Sequence, residues 1–433
     1  MLFVHYDDFS PPWILQISMI PKFDILVFGA TSFVGKILCA YLMHEFGTAA
    51  KPGARKLSWT VAGRSRSKLQ ELLTALGPDA AEIPCIIADA ADDAALKQMC
   101  RQTRVVVSTV GPYALYGEPL IRACVETGTD YCDLTGEPQW IRRMIRAYAD
   151  QAAASGARIV HCCGFDSIPS DLGVWFLQQQ ALTHFGEPCS TVKMRVKAMR
   201  GAASGGTVAS MVNIVREAAT DPALRKELSN PYSLVIPAPS TTVRQANIST
   251  ATFDKDFQAW VAPFVMAAIN TRVVHRSNAL SGLAYGAKFR YDEAMLMGKG
   301  FSGRIRATSF AAGLGGFLVA TAIAPTRWLL EKTVLPAPGD GPSRAAQEKG
   351  FFDFRFVGRT DDGRELRIKV TGDRDPGYGS TGKMLGEAAA CLAHDVSKRD
   401  VAGGFWTPST AMGSKLVDRL TNHAGLTFTL LDD

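Results

Sequence analysis

Apolar positions follow two different rhythms along this chain. In its first part, short apolar or β-branched runs recur at Asp24–Phe28, Leu57–Ala62, Ile83–Ala88, Val105–Val110, Asp130–Asp133 and Arg158–His161. Between them, apolar residues return every three to four positions near Phe33–Phe46, Ser67–Leu76, Ala91–Met99, Glu118–Thr127 and Gln139–Ala154, which predicts amphipathic helices. The run Val105 to Val110 is apolar almost throughout, as a strand covered on both faces should be. Strand and helix in alternation, joined by short links, predict an α/β fold with a doubly wound parallel sheet of the Rossmann type.

From about residue 185 the rhythm changes. Thr191 to Met199 alternates as a half-exposed strand, and a helical pattern follows Gly205-Gly206. Residues 351–372 read as two strands joined at Asp361-Asp362-Gly363, a hairpin signal. These features predict a second, α+β domain with antiparallel strands. The expected division is an N-terminal arm at 1–20, a Rossmann domain at 21–184, and an α+β substrate or dimerisation domain at 185–374. C-terminal helices at 375–433, near Thr381–His394 and Thr410–His423, are expected to pack back on the first domain. A homodimer is expected. The Pro/Gly turn Asp375–Thr381 either closes over a cleft or caps the helix behind it.

Ala307 to Thr326 holds twenty residues without a charge, flanked by Arg304, Arg306 and Arg327. It is long enough to span a bilayer, but several Thr, Ser and Gly dilute it and Pro325 closes it. A buried core helix, a helix lying against lipid and a membrane span remain open for it.

Composition narrows the classes of partner. Of the 433 residues, 47% are hydrophobic and 20% charged, the balance of a globular protein with a filled core. The net charge of +6 is modest and the basic residues are dispersed, so no nucleic-acid footprint is expected. Nine cysteines without a C-x-x-C pair read as free thiols in a reducing cytoplasm. Seven scattered histidines offer no zinc spacing, and no metal site is expected.

The first apolar run ends in Gly29-Ala30-Thr31-Ser32-Phe33-Val34-Gly35. Gly29 permits a tight turn, Gly35 lets the helix lie close to the sheet, and the helix N-terminus offers N–H groups to a pyrophosphate. Ser32 stands where a dinucleotide fingerprint carries glycine. The second run ends in Gly63-Arg64-Ser65-Arg66 with no acid for a ribose 2′-hydroxyl, so Arg64, Ser65 and Arg66 favour NADP(H) over NAD(H). Asp89, after the third run, either accepts from an adenine amine or caps a helix. Val110, Gly111 and Pro112, after the fourth, would lie beside the nicotinamide half.

Several segments together resemble the saccharopine dehydrogenase-like oxidoreductases: FGATSFVG, AGRSRSKL, STVGPYALYG, TGTDYCDLTGE and HCCGFDSIPSDLG. APFVMAAINTRVVHRS, PAPGDGPS and TGDRDPGYGSTGKMLGEAAACLA bring the likeness closest to the branch of trans-acting enoyl reductases. The resemblance covers nearly everything from Phe23 onward. It implies a Rossmann domain with a second α+β domain, and NADP(H)-dependent reduction of an enoyl or acyl substrate of lipid or polyketide type, free or carrier-bound.

Hydride transfer to an electron-poor carbon needs a proton donor or a group that stabilises a carbonyl oxygen. Tyr113, Tyr116, Asp133 and Asp166 are the candidates, with Tyr131, Glu137 and Ser167 nearby; His161 reads as a core histidine. Two alternatives stand beside this reading. One is a non-catalytic NADP(H)-binding or lipid-surface protein. The other is an amino-acid-linked reductase of saccharopine type, which would need convergent cations from among Arg195, Lys197, Arg200, Arg272 and Arg276. The expected location is the cytoplasm, peripheral to a membrane or lipid surface if 307–326 touches one.

Overall fold

The computed structural model describes residues 21–47, 55–201, 205–239, 242–333 and 341–431. The expected arm at 1–20 and most of the PAPGDGPS segment lie outside the described residues.

Six strands of the first part are β1 (Phe23–Phe28), β2 (Trp59–Gly63), β3 (Cys85–Ile87), β4 (Thr103–Ser108), β5 (Asp130–Asp133) and β6 (Arg158–Val160). They lie parallel in the order β6-β5-β4-β1-β2-β3, so the chain reverses direction across the sheet between β1 and β4. Ligands of open α/β sheets settle at such a switch point, beyond the carboxyl ends of the strands. Ile25, Leu26, Val27, Val105, Val106 and Val107 are fully buried, because helices cover both faces.

The second sheet takes β7 (Thr191–Arg200), β8 (Thr252–Asp254), β9 (Ala259–Pro263), β10 (Arg290–Gly298), β11 (Phe351–Arg359) and β12 (Glu365–Gly372). Its neighbours are antiparallel except for β7 and β10. The hairpin of β11 and β12 turns through Asp361-Asp362-Gly363, with Arg359 opposite Glu365. Phe352, Phe354 and Phe356 alternate inward from β11 and share one hydrophobic core with Ile25, Leu38 and Leu385 of the first layer.

The C-terminal segment contains more than returning helices. β13 (Gly404–Trp406) pairs parallel with β6 and extends the first sheet, and β14 (Leu426–Leu431) pairs antiparallel with β12 and extends the second. A three-residue strand carries too little periodicity to stand out in a sequence. The helix Thr381–His394 lies on the helix Phe33–Glu45, where Gly382 and Gly386 leave room for Ile37 and Tyr41. Buried Glu387 accepts from Tyr41 Oη at 2.7 Å and from both terminal nitrogens of Arg55 at 2.8 Å, and Arg419 donates to it at 3.0 Å.

Candidate nucleotide and substrate site

The turn after β1 is built as its residue types require. Gly29 has φ +81°, and a Cβ there would meet Val110 Cγ2 at 2.6 Å. A Cβ on Gly35 would fall 2.4 Å from the Gly29 carbonyl oxygen and 2.8 Å from that of Ala30. The amides of Phe33 and Val34, in the first turn of the helix, have no acceptor within it. Ala30 is buried and Thr31 half-buried.

Ser32 does a different job from the one expected of a residue beside the phosphates. Its Oγ accepts from Gly35 N at 3.0 Å and lies 2.9 Å from Thr109 Oγ1. Thr109 Oγ1 donates its single proton to the Gly29 carbonyl at 2.9 Å, so the Ser32 hydroxyl is the donor to Thr109. The serine thus caps the helix and ties the β1 turn to the end of β4 across the switch point. Replacing Ser32 with Gly should leave NADPH affinity within about threefold and cost about 0.5–1.5 kcal/mol of stability, read by titration and thermal unfolding. A loss of affinity beyond tenfold would put the hydroxyl itself on the nucleotide.

At the end of β2, Arg64 and Arg66 are exposed and form no ion pair among the described residues. Ser65 caps the helix Arg66–Leu76, its Oγ accepting from Lys68 N at 3.4 Å. Asp89 is exposed and accepts from Ala91 N at 3.0 Å, bracing its own turn; the cap of the helix Asp93–Cys100 is Asp92. After β4, Val110 and Pro112 are half-buried and Gly111 is exposed.

Two of the expected proton donors are corrected. The loop after Pro112 winds into a short helix, Tyr113–Tyr116, which turns the Tyr113 ring under itself. Its hydroxyl donates to the Ser108 carbonyl at 2.9 Å and its ring lies 5.3 Å from that of Trp140. Burial, then the charge of Asp133, push its pKa well above the phenol range. Tyr113 is a core residue. Asp133 is equally enclosed: it accepts from Tyr131 Oη, Thr135 N and Cys162 N, and its Oδ2 stands 2.7 Å from His161 Nδ1. It braces the loops behind β5 and β6, and His161, ringed by Tyr131, Trp140 and Phe405, is the expected core histidine.

Tyr116 and Leu115 stay at the surface of the same loop, each about half exposed. Asp166 follows β6 and keeps partial access to solvent. It makes no hydrogen bond among the described residues, and its Oδ2 faces the open side of Gly136. Enclosure in the protein mass, and next the charge of Asp133, push its pKa up to about 7.

Behind these groups, buried Glu137 accepts from Tyr113 N and Ala114 N, both at 2.9 Å, and from Ser210 Oγ at 2.8 Å. It therefore fastens the Tyr113–Tyr116 loop to the helix Gly205–Thr220 of the second layer. Ser210 carried no signal in the sequence, since a lone serine in an apolar helical run reads as filler. Further in, Ser167 Oγ donates to Asn270 Oδ1 at 3.0 Å, and Asn270 Nδ2 donates to Ser170 Oγ and Glu293 Oε2. The cations an amino-acid substrate would need do not converge. Arg195 is held by Asp254 and Asp292, Lys197 faces Asp353, Arg272 and Arg276 donate to carbonyls of Leu228, Leu234 and Phe405, and Arg200 is exposed.

A family model for the saccharopine dehydrogenase NADP binding domain matches residues 25–160. With the switch-point turn and the acid-free end of β2, this defines an NADP-dependent oxidoreductase with a saccharopine dehydrogenase-type dinucleotide domain. Over 411 residues the chain is 39% identical to a putative trans-acting enoyl reductase of Mycobacterium tuberculosis, covering 92% of this chain and 95% of that one. It is also 39% identical to a trans-acting enoyl reductase of Mycobacterium bovis, with 92% and 96% covered, and 36% identical over 416 residues to that of Mycobacterium leprae. The chain belongs to this family of trans-acting enoyl reductases, within the saccharopine dehydrogenase-like oxidoreductases. Apo saccharopine dehydrogenase (L-Glu forming) from Saccharomyces cerevisiae shares the fold, with a TM-score of 0.51 at 13% identity, over 95% of this chain and 100% of that one.

Proposed function

We propose that the protein reduces the carbon–carbon double bond of an α,β-unsaturated acyl substrate, carrier-bound, with NADPH as the reductant. The observation that carries this reading is Asp166: a carboxyl at the carboxyl-end rim of the sheet, without a hydrogen bond among the described residues and with its pKa raised to about 7. Such a group holds a proton at neutral pH and gives it up readily. NADPH, when bound, supplies a hydride to one carbon of the double bond. The residues of the chain do the rest. The amides of Phe33 and Val34, held at the helix N-terminus by the tight turn that Gly29 and Gly35 permit, fit a pyrophosphate. Arg64 and Arg66 fit a 2′-phosphate. Asp166 protonates the neighbouring carbon or the acyl oxygen. Glu137 holds the Tyr113–Tyr116 loop in place, and Leu115 and Tyr116 offer apolar surface to an acyl chain.

Two measurements test this. NADPH should raise the melting temperature more than NADH does, and Arg64→Ala should weaken NADPH by roughly ten- to a hundredfold while leaving NADH nearly unchanged. Equal loss for both nucleotides would reject Arg64 as the phosphate ligand. NADPH oxidation should then require an enoyl thioester; oxidation with oxo-acids and amines in its place would favour the amino-acid-linked reading, and nucleotide protection without turnover the binding protein.

A further inference from the structure

The segment expected at Ala307–Thr326 is part of a longer helix, Gly300–Ala322, followed by a second, Ala324–Thr333. Its first turns lie against β9 and β10, where Gly303 and Ala307 are buried and Arg304 sits 5.4 Å from the centre of the Trp260 ring. Beyond Ala307 the only buried position among the described residues of this helix is Thr321. Phe301 is 76% exposed, Val319 60%, Trp328 57%, Leu329 54%, and Ile305 and Ile323 50% each. A helix apolar on all sides is ordinarily buried. This one is not, and so is not the core helix that was one of the expectations for it.

Charge identifies what covers it. From Ala294 to Leu330 there is no Asp or Glu, while Lys299, Arg304 and Arg306 lie at one end and Arg327 at the other. Pairing this face with a second copy, in parallel or antiparallel, would oppose cation to cation at both ends. An apolar stretch bounded by cations matches instead the layered chemistry of a membrane face, acyl chains beneath anionic headgroups. The same helix also packs on Gly205–Thr220, the helix that holds Glu137 through Ser210.

We infer that Gly300–Thr333 is an arm that docks the protein peripherally on an anionic lipid surface. This inference stands apart from the proposed reaction, since it uses none of the residues assigned to it. The full chain should sediment with vesicles of phosphatidylglycerol and phosphatidylcholine, and not with phosphatidylcholine alone. Lys299→Gln with Arg327→Gln should weaken that binding roughly fivefold per charge. Phe301→Glu with Ile305→Glu and Val319→Glu, all at exposed positions, should abolish it while leaving protection by NADPH unchanged. Vesicle binding by this triple variant would overturn the inference. So would no binding by the parent chain, or a parent dimer that falls to monomer in the triple variant without any lipid being bound.

Discussion

Gly35→Ala should abolish measurable NADPH binding. The added methyl would lie 2.4 Å from the Gly29 carbonyl oxygen and 2.8 Å from both the carbonyl carbon and oxygen of Ala30, none of which is a flexible side chain that could swing away. Relief requires the helix Phe33–Glu45 to lift from the turn. The helix is held on its other side by Gly382 and Gly386 of the helix Thr381–His394 and by the Tyr41–Glu387 hydrogen bond, so it cannot move alone. The turn must yield instead, carrying the Phe33 and Val34 amides away from the pyrophosphate. Overpacking of this kind costs about 1–3 kcal/mol of stability, and a displaced anion cradle weakens the nucleotide roughly a hundredfold or more. Calorimetric titration with NADPH, with thermal unfolding as the check on folding, reads both. Unchanged affinity in a folded variant would place the nucleotide somewhere other than this turn.

The contrast between Gly35 and Ser32 marks how far sequence carries. Glycine at a strand-to-helix turn has a steric meaning that needs no tertiary context, and alternation of apolar runs located β1 to β6 of the first sheet, though not the short β13 at its edge. Ser32 looked like a departure from a pattern because its partner, Thr109, is 77 residues away and reaches it only once β1 and β4 pair. The same limit explains Tyr113. Its position beyond β4 was readable, but the direction of its ring depends on the short helix that Glu137 caps from another element. The Arg272 and Arg276 side chains show it too: their guanidinium groups are taken by carbonyls of irregular segments, which have no periodicity to announce them. Polar residues whose partners lie far along the chain are what a single sequence hides. Asp133, the last residue of β5, and Asp166, in the loop after β6, are both acids at the carboxyl-end side of the sheet, and only their hydrogen-bond partners tell them apart.

That difference gives Asp166→Asn the other large expected effect. Asp133 is held by Tyr131 Oη, Thr135 N, Cys162 N and His161 Nδ1, and its nearby charge is, after burial, the second reason Asp166 holds a proton up to about pH 7. Asparagine keeps the size of the side chain and removes the acidic proton, so kcat should fall by about 10²–10⁴-fold with NADPH affinity unchanged. The pH profile separates this from a structural effect. The parent rate should decline as pH rises through about 7, where Asp166 loses its proton, and the variant's small residual rate should show no such decline. Stability supplies a second, independent reading. The carboxyl's folded pKa lies above its ordinary 3.8, so the folded state disfavours ionisation and stability is lost as pH rises from about 4 to about 7. Asp166→Asn removes that loss, and the variant should gain on the order of 2 kcal/mol relative to the parent between pH 5 and pH 8. A variant that turns over as fast as the parent, with the same pH profile, would remove Asp166 from the reaction and return the proton donor to Tyr116 or to water.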